Sequence, residues 1–306
     1  MPDSSASPEP FTADAGDSTD DTAPGLVMCF NVADPTGAGG NACDVTAVAS
    51  VGSHALPIVT GVLIRDSAEV FDHYPLDTEA VVEQARALLE DGEVHAFKVG
   101  NCDNVESVSA IAELIADYPD VPVVTYVGNL GHVDESQIDD YLSAISELIV
   151  PQTYVLCGNF NLLQTLLLPE WDAPEPPTAW QIAKAAAEAG GEYVLLTGVP
   201  AADGFLENVL LSDEKLLLRE RFERFDVSFV GAGDTLSAVL AGLLGSGMPI
   251  EQAATEALQF LDQSLESGFR PGMGMVLPDR LFWAHPGDED DEIDDIGADM
   301  PPPRTH

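Results

Sequence analysis

The sequence predicts a doubly wound α/β fold, with a mostly parallel sheet and helices on both of its faces. Apolar runs of strand length alternate with helical patterns from residue 26 to residue 267. Most of these runs are apolar throughout, as in strands that are buried on both faces of a sheet. A glycine-rich turn precedes a helix at 33–40 and again at 231–233. This alternation indicates one large layered domain that binds ligands at the carboxyl ends of its strands.

Each element is predicted from its own pattern. The run LVMCFNV at 26–32 predicts a central strand, and the turn residues of 33–40 lead into a helix at 41–51. Further strands are predicted at 55–64, 94–99, 121–127, 153–157 and 193–197, with two antiparallel strands at 207–212 and 215–223. Further helices are predicted at 77–89, 105–116, 135–148, 160–168, 179–189, 234–246 and 250–267.

The two ends of the chain differ from the rest in composition. Residues 1–24 carry six acids with no Lys or Arg, and residues 285–306 carry eight acids. Both segments are predicted to be disordered, because they hold too few large apolar side chains to form a core. The folded domain is therefore expected at 25–284, with 268–284 packed back on its body.

The formal charge of −42 excludes several classes of partner. Such an acidic surface repels nucleic acid and anionic membranes. No apolar run approaches the roughly 20 residues that span a bilayer. The acidic N-terminal segment also lacks the features of a targeting signal, so a cytoplasmic location is expected. Free ATP would be repelled as well, so an ATP-dependent enzyme of this composition needs Mg²⁺ and a locally positive pocket.

Cysteine and lysine residues give no site by themselves. The four cysteines are Cys29, Cys43, Cys102 and Cys157, which include no CxxC pair and no zinc-like spacing with histidine. Reduced structural thiols are therefore predicted. Lys98 lies inside an apolar strand, a position more typical of a paired or snorkelling lysine than of a phosphate ligand.

The stretch FVGAGDTLSAVLAGLL at 229–244 is the strongest candidate for chemistry. Gly231, Ala232 and Gly233 permit a tight turn, and the apolar run that follows predicts a buried helix beginning at about Asp234. A helix start presents unpaired amides and the positive end of the helix dipole, which together attract a phosphate. Asp234 would lie in this anion hole as a general base. Taken alone, the pattern also fits an N-cap aspartate in a glycine-rich turn.

The motifs, taken in order, resemble those of the ribokinase superfamily. They are DPTGAGG (34–40), AFKVG (96–100), a strand ending at Asn159, LLTG (195–198), GAGDTLSA (231–238) and GFRPGMG with PDRLFWA (268–284). Within the superfamily, the chain is most similar to the hydroxymethylpyrimidine/phosphomethylpyrimidine kinases of bacterial thiamine biosynthesis. The resemblance implies a three-layer sandwich. It also implies ATP- and Mg²⁺-dependent phosphorylation of 4-amino-5-hydroxymethyl-2-methylpyrimidine and then of its monophosphate.

The resemblance further implies a set of site residues. It assigns Asp234 as the base, the amides of Gly231, Ala232 and Gly233 as the anion hole, Asp34, Gly39, Asp44 and Arg65 as acceptor contacts, and Asn159, Thr197 and Gly198 as nucleotide contacts. For Asp44, a capping or solvent-facing position is the alternative. No metal ligand is identified. Small kinases of this superfamily are often dimers, so a homodimer is expected.

The chain departs from the family pattern around the acceptor and the metal. Arg65 replaces a Gln that reads the pyrimidine edge, and an Arg side chain offers donors only. Tyr126 and Leu162 replace carboxylates that help to hold Mg²⁺ and its waters. Two alternatives therefore stay open. One is a kinase of another small alcohol, such as a vitamin, sugar or nucleoside, and the other is a ligand-binding relative that has lost turnover.

Overall fold

The structure is a computed structural model, and it describes residues 23–128, 130, 131, 133, 136–201 and 205–285. The predicted disorder of 1–24 and 285–306 therefore falls almost wholly outside the described residues. The strands are β1 (Leu26–Ala33), β2 (His54–Arg65), β3 (Val70–Pro75), β4 (Ala96–Val99), β5 (Val123–Val127), β6 (Val155–Asn159), β7 (Tyr193–Pro200), β8 (Phe205–Leu211) and β9 (Leu216–Glu223). The helices are α1 (Gly40–Ser50), α2 (Thr78–Leu89), α3 (Val105–Ile115), α4 (Ile138–Ala144), α5 (Phe160–Leu167), α6 (Ala179–Glu188), α7 (Ala232–Gly245) and α8 (Ile250–Glu266).

The nine strands form one sheet in the order β3-β2-β1-β4-β5-β6-β7-β8-β9. The six strands β2, β1, β4, β5, β6 and β7 are parallel, and β3, β8 and β9 add antiparallel edges. The predicted doubly wound, mostly parallel sheet is therefore confirmed. Its parallel strands all end at one edge, so the loops that follow them meet there.

Two hydrophobic cores lie on opposite faces of the sheet. Alternate residues of β1 enter different cores: Val27 and Cys29 pack with α1, α7 and α8, whereas Met28 and Phe30 pack with α2 to α6. Helix α7 is buried from Thr235 to Gly245, which explains why its sequence is apolar on nearly all sides. No helix of the described residues is long and apolar enough to cross a membrane.

The structure differs from the predicted elements at several points, including the first residues of β4 and β5 and the last of β7. Strand β3 was not predicted, because its sequence VFDHYP is half-buried at best and carries no continuous apolar run. The predicted helix 135–148 is shorter, since α4 ends at Ala144 and a π turn follows at Ile145–Ile149. Its predicted start at Glu135 lies outside the described residues. Helix α7 begins at Ala232, two residues earlier than predicted.

The segment after α8 packs back on the domain, as predicted. Val276 pairs with Phe229 in an isolated parallel bridge, and the amide of Val230 donates to the carbonyl of Val276 at 3.0 Å. The amide of Met275 donates to the carbonyl of Ser67 at 3.0 Å. The C-terminal segment therefore contacts both the turn before α7 and the β2–β3 hairpin.

Candidate active site

The glycine-rich loop between β1 and α1 is shaped by one carboxylate. The amide and hydroxyl of Thr36 donate to Asp34 Oδ1 at 2.9 and 2.7 Å, and the amide of Gly39 donates to Asp34 Oδ2 at 3.1 Å. Gly40 has a φ of 63°, and a Cβ there would meet the carbonyl oxygen of Val32 at 2.3 Å. Asp34 thus folds the loop over the end of β1, and glycine is required where the loop enters α1.

The second glycine-rich turn forms the start of α7. Gly231 is the N-cap residue, with a φ of 86° in the left-handed region, and no side chain caps the helix. The first-turn amides of such a helix have no intrahelical acceptor, and the helix dipole adds partial positive charge. Asp234 lies in this first turn, so its carboxylate stands beside the amides of the predicted anion hole.

A buried network of hydrogen bonds holds one carboxylate oxygen of Asp234. Its Oδ1 atom accepts hydrogen bonds from Asn31 Nδ2 at 2.9 Å and from Lys98 Nζ at 3.0 Å. The same two donors reach Asp44, with 2.7 Å from Lys98 Nζ to Oδ1 and 2.9 Å from Asn31 Nδ2 to Oδ2. One ammonium group and one amide therefore bridge two carboxylates that come from different helices. We call these four residues the Lys98 network.

The other oxygen of Asp234, Oδ2, lies beside the first glycine-rich loop. A Cβ placed on Gly39 would lie 2.8 Å from Asp234 Oδ2, so this atom packs on the bare Cα of the first glycine loop. The Asp234 side chain is 18% exposed, whereas those of Lys98 and Asp44 are fully buried. The network thus fixes one oxygen inside the protein and leaves the other at the surface of the cavity described below.

Burial and charge act in opposite directions in this network. Burial raises the pKa of Asp44 to about 6, although Lys98 opposes the shift. Burial lowers the pKa of Lys98, but the carboxylates of Asp44 and Asp234 outweigh it and hold this pKa above its ordinary value. Lys98 is therefore charged at neutral pH, and it supplies the positive charge behind the anion hole.

Arg280 joins the two glycine-rich turns. Its Nε donates to Thr235 Oγ1 at 2.9 Å, its Nη1 donates to the carbonyl of Gly37 at 3.0 Å, and its Nη2 donates to the carbonyl of Ala38. The residue is 7% exposed. A planar guanidinium is suited to such fixed, divergent contacts. Arg280 therefore sets the distance between the loop that carries Gly39 and the helix that carries Asp234.

A cavity of about 390 Å³ lies at the junction of these elements. It is lined by polar residues, Asn31, Asp34, Arg65, Glu69, Asn101, Tyr126 and Asp234, and by apolar ones such as Leu63, Val127, Val230 and Met275. Its volume suits a small organic molecule. Both glycine-rich turns contribute to its wall, through Gly39 and Gly231. A concave, partly apolar site with a carboxylate beside a helix N-terminus is suited to transfer of an anionic group to a small acceptor.

Comparison with known proteins identifies the family of this site. A family model described as phosphomethylpyrimidine kinase matches residues 34–279. The chain belongs to the phosphomethylpyrimidine kinase family. It is 26% identical over 253 residues to the hydroxymethylpyrimidine/phosphomethylpyrimidine kinase of Streptomyces coelicolor, covering 82% of this chain and 93% of that one. The resemblance predicted from the motifs is confirmed, and the protein is a phosphotransferase.

Solved structures agree with this fold. The pyridoxal kinase of Bacillus subtilis superposes with a TM-score of 0.76 at 20% identity, covering 86% of this chain and 99% of that chain. The phosphomethylpyrimidine kinase of Clostridium difficile superposes with a TM-score of 0.64 at 16% identity, covering 77% and 98%. The sheet and its helical layers therefore follow the same fold as these two kinases.

The predicted acceptor contacts of this phosphomethylpyrimidine kinase family member occupy two kinds of position. Asp34, Gly39 and Arg65 line the cavity, and Arg65 Nη1 lies 3.3 Å from Asp34 Oδ2. Asp44 does not line the cavity, because its carboxylate is fully buried behind Lys98 and Asn31. The alternative of a solvent-facing Asp44 is therefore wrong. A direct contact between Asp44 and an acceptor stays a prediction, which this geometry does not favour.

The predicted anion-hole residues lie in the first turn of α7. Gly231 and Asp234 line the cavity, whereas Ala232 and Gly233 are set back from it. A Cβ on Gly233 would collide with the ring of Tyr126, so this ring covers the turn from one side. Tyr126, which stands where the family resemblance implied a carboxylate, supplies an aromatic wall at this position.

The predicted nucleotide contacts lie together, with Asn159 at the carboxyl end of β6 and Thr197 and Gly198 within β7. Asn159 and Thr197 are Cα partners in the parallel register. Asn159 Oδ1 accepts from the amide of Leu162 at 2.9 Å and caps α5, and the amide of Gly198 donates to Asn208 Oδ1 at 3.0 Å. None of Asn159, Thr197 and Gly198 lines the 390 Å³ cavity. Their binding of a nucleotide stays a prediction.

The residues present do not form a protein-built magnesium site. Within the described ranges, no group of three or more His, Cys, Asp or Glu side chains is placed to hold a metal ion. Tyr126 and Leu162 stand where the family resemblance implied carboxylates. Mg²⁺ commonly keeps several waters and binds through substrate phosphates.

Sequence analysis missed two members of the site. Asn31 and Arg280 were not assigned, although Asn31 interrupts the apolar run LVMCFNV and Arg280 follows the motif PD at 278–279. Lys98 was predicted to be either paired or snorkelling, and the structure shows that it is paired with Asp44 and Asp234. A polar residue within a strand of buried residues is a useful signal, because it must find a partner in the core. The identity of that partner was not available from local sequence.

Proposed function

We propose that the protein transfers the γ-phosphoryl group of ATP to the hydroxymethyl group of 4-amino-5-hydroxymethyl-2-methylpyrimidine, and then phosphorylates the resulting monophosphate. The observation that carries the proposal is the position of Asp234. Its carboxylate lies in the first turn of an uncapped helix and lines a cavity that also contains the first glycine-rich loop. Membership of the phosphomethylpyrimidine kinase family supports the choice of acceptor.

In the proposed reaction, Asp234 Oδ2 accepts the proton of the acceptor hydroxyl. The acceptor oxygen then forms a bond to the γ-phosphorus, while the bond from that phosphorus to the β,γ-bridging oxygen breaks and its electron pair leaves with ADP. The amides of Gly231, Ala232, Gly233 and Asp234 stabilise the charge on the transferred group. The products are a phosphate ester, ADP and the proton, which Asp234 returns to solvent.

The proposed acceptor site is formed by Arg65, Asp34 and the apolar wall of the cavity. The pair Arg65–Asp34 has side chains only 9% and 2% exposed, so it presents a largely desolvated polar edge to a ring. Arg65 offers donors that can pair with the ring nitrogens of an aminopyrimidine. Both oxygens of Asp34 already accept hydrogen bonds from Thr36, Gly39 and Arg65, so Asp34 orients the guanidinium rather than contacting the ring.

The nucleotide is proposed to bind at the carboxyl end of β6 and the adjacent part of β7. A similar protein, the pyridoxal kinase of Staphylococcus aureus, has been solved with AMP-PCP and pyridoxal, with a TM-score of 0.75 over 86% of this chain. Asn159, Thr197 and Gly198 are the proposed contacts in this chain. Mg²⁺ is proposed to enter with the nucleotide phosphates, since no protein cluster of the described residues suits it.

A coupled assay tests the proposal. Full-length protein with ATP, Mg²⁺ and hydroxymethylpyrimidine is expected to form ADP and the phosphate ester in equal amounts, with the ester identified by ³¹P NMR. Asp234→Asn should lower kcat by about 10²–10⁴-fold, the usual contribution of a general base. Asp213→Asn, at an exposed turn, is the matched control. No ester formation by the wild-type protein would overturn the acceptor, and an active Asp234→Asn would overturn the base.

A second candidate function is phosphorylation of a different small alcohol, and Arg65 is the observation that favours it. This residue places a guanidinium in the cavity wall where the family resemblance implied a neutral amide. An acceptor with a carbonyl or anionic oxygen would pair with it directly. Comparing kcat/KM for hydroxymethylpyrimidine, pyridoxal, nucleosides and sugars separates the two functions, since a clear preference for a non-pyrimidine would decide for the second.

The expected homodimer and cytoplasmic location also stay proposals. Light scattering on the purified protein measures the first, and a mass near that of one chain would overturn it. Cell fractionation measures the second, and recovery outside the cytoplasmic fraction would overturn it.

A further inference from the structure

Tyr126 carries a hydroxyl group that has no role in the site described above. The residue is the last but one of β5, and its side chain lines the cavity. Among the residues that the structure describes, none forms a hydrogen bond with its phenolic oxygen, Oη. A hydroxyl group in the wall of a polar cavity that has no protein partner is available to a ligand.

The hydroxyl end of the ring lies against the first turn of α7. A Cβ built on Gly233 would collide with Tyr126 Oη and with two carbons of the ring. Gly233 is the second residue of α7, between the N-cap residue Gly231 and the proposed base Asp234 on its far side. Tyr126 Oη therefore stands beside the backbone of the proposed anion hole.

The position of the ring is fixed from several sides. A Cβ built on Gly128 would lie 2.9 Å from Tyr126 Cε1 and 3.1 Å from Oη, so the ring is packed between two glycines. Lys98 Nζ lies 5.8 Å from the ring centroid, within the range of a cation–π contact. A hydroxyl group on a fixed ring is preorganised, which is what a donor needs in order to stabilise a transferred group.

Tyr126 also lies between the two proposed binding regions. The sheet order places β5 between β4 and β6, and α7 packs against β1, β4 and β5. The residues of the acceptor side, Asp34 and Arg65, follow β1 and end β2. The proposed nucleotide contacts Asn159 and Thr197 lie on β6 and β7. A phosphoryl group that moves from the nucleotide to the acceptor at the start of α7 therefore passes β5.

The hydroxyl group keeps its proton near pH 7. Burial raises the pKa of Tyr126 above its ordinary value, and the carboxylate of Asp234 raises it further, although Lys98 opposes the shift. Tyr126 is therefore a neutral hydrogen-bond donor. A second carboxylate at this place would repel a phosphate, whereas a neutral O–H group adds no negative charge beside Asp234.

We propose that the hydroxyl group of Tyr126 donates a hydrogen bond to the γ-phosphoryl group of bound ATP and keeps this bond during the transfer, which makes Tyr126 a catalytic residue. The proposal rests on the proposed function, because its partner is the phosphoryl group of ATP. The helix amides would contact this group from α7, and Tyr126 would contact it from β5. No covalent bond to Tyr126 forms, and the proton of the acceptor still passes to Asp234.

Tyr126→Phe tests the proposal, because it removes the hydroxyl group and keeps the ring. The dissociation constants of AMP-PCP and of ADP are measured by calorimetry with the full-length protein and Mg²⁺. AMP-PCP should bind about 10–100-fold more weakly to the variant, the usual effect of losing a hydrogen bond to a charged group. The affinity for ADP should not change, because ADP has no γ-phosphoryl group. The kcat should fall by a similar factor, with an unchanged KM for the acceptor.

Tyr154→Phe is the matched control. Tyr154 precedes β6 at the opposite edge of the sheet, does not line the cavity and packs on Tyr193 at 5.2 Å between the ring centroids. Its substitution should change neither affinity. Tyr126→Leu removes the ring as well and should lower Tm, because the packing on Gly233 is lost. Tyr126→Phe should keep Tm within about 1 °C, since Oη has no protein partner to lose.

The outcomes separate this proposal from the proposed function. A loss of affinity for AMP-PCP alone, at an unchanged Tm, supports the role of Tyr126. Equal affinities of the wild type and Tyr126→Phe for AMP-PCP would overturn it. Equal losses for AMP-PCP and ADP, or a Tm as low as that of Tyr126→Leu, would also overturn it. Both ligands bind without turnover, so a wild-type protein that forms no ester would overturn the proposed acceptor and leave the binding result standing.

Discussion

Two buried carboxylate clusters, the Lys98 network and the pair of Asp103 with His73, are satisfied in different ways. In the Lys98 network, both oxygens of Asp44 and one oxygen of Asp234 accept strong hydrogen bonds. In the second cluster, Asp103 is 3% exposed and neither of its carboxylate oxygens has a hydrogen-bond partner among the described residues. His73 Nε2, which is positively charged only when the ring is protonated, lies 3.8 Å from Oδ1.

The backbone differs between the clusters as well. Asp103 has a φ of 71°, the only positive φ of a non-glycine residue in the described chain, and its carboxylate packs against the Cα of Gly61. Burial raises the pKa of this carboxyl group, although His73 opposes the shift. Both features cost stability.

The two clusters are linked through Asn101, which lines the cavity. Its side-chain oxygen accepts from the amide of Asp103 at 2.8 Å, and its own amide donates to Asn31 Oδ1 at 3.2 Å. The comparison shows that Asp103 lowers the stability of the fold, because its buried oxygens lack hydrogen bonds. By contrast, the carboxylate beside the proposed base has a hydrogen-bond donor for each of its oxygens. The strained turn at Asp103 holds the residue that supports the Lys98 network.

Removing Arg280, which joins the two glycine-rich turns beside the Lys98 network, should have the largest effect. Arg280→Met leaves the carbonyl groups of Gly37 and Ala38 and the hydroxyl of Thr235 without their cation, which should cost about 3 kcal/mol of unfolding free energy. The two glycine-rich turns should also lose their relative position, and kcat should fall by about 10²-fold. Urea denaturation and steady-state kinetics measure the two effects. Arg219→Met, at an exposed arginine, is the control, and equal losses in both variants would contradict the role of Arg280.

Substituting Gly39 should disturb the forward oxygen of Asp234 without touching its buried partners. Gly39 has a φ of −130°, so Gly39→Ala is compatible with the backbone, but the new methyl group would lie 2.8 Å from Asp234 Oδ2. Because Lys98 and Asn31 hold Oδ1, the carboxylate cannot move away freely. We expect kcat to fall by about 10-fold or more, with a stability loss below about 1 kcal/mol.

Gly92→Ala is the matched control for this substitution, because a Cβ at Gly92 would meet only Leu26 Cδ1 at 4.0 Å. An undiminished kcat in Gly39→Ala would show that Oδ2 does not face the acceptor. The proposed difference between the fixed oxygen and the reactive oxygen of Asp234 would then be wrong.

Neutralising Asp103 should stabilise the fold, in contrast to any change in the first cluster. Asp103→Asn keeps the shape and tolerates the left-handed backbone, and it removes a buried charge that lacks hydrogen bonds. We expect a gain of about 1 kcal/mol near pH 7, or about 2–4 °C in Tm. Thermal unfolding measures it, with the exposed Asp213→Asn as control.

The pH dependence of this gain follows from the direction of the pKa shift. The pKa of Asp103 in the folded protein is above its ordinary value of 3.8, so the folded state binds the proton more tightly than the unfolded chain. The stability that this group contributes is present below about pH 4 and is lost as the pH rises through the folded pKa. The difference in Tm between Asp103→Asn and the wild type should therefore grow above pH 4. A difference that shrinks over this range would contradict the assignment.

Sequence analysis predicted the parts of the site that depend on local patterns. The turn before α7 and the loop before α1 can be recognised in the sequence, because each is rich in glycine and adjoins an apolar run. Both line the cavity. The pairing of Asn31 with Asp234 joins residues 203 positions apart, so it depends on the packing of the sheet against α7. The predictions for Asp44, either an exposed side chain or a substrate contact, were based on its own helix alone. Its ion-pair partner comes from a neighbouring strand.

The β2–β3 hairpin shows the same limit. Strand β3 is held by its pairing with β2 and by the contact of the hairpin turn with the C-terminal segment, through Ser67 and residues 274 and 275. Neither contact is visible in the six residues of the strand, whose pattern is polar and half-exposed. Edge elements that depend on distant partners are therefore the ones that periodicity fails to predict.

The contacts of Arg280 have a consequence for biosynthesis. The glycine-rich loop that it holds lies near the start of the domain, and Arg280 follows every strand of the sheet and the last long helix. The N-terminal part of a chain leaves the ribosome first. Nearly the whole domain must therefore be translated before the guanidinium of Arg280 can form hydrogen bonds with this loop. Nascent chains that stop short of residue 280 should therefore form much of the sheet while lacking a competent phosphoryl-transfer site.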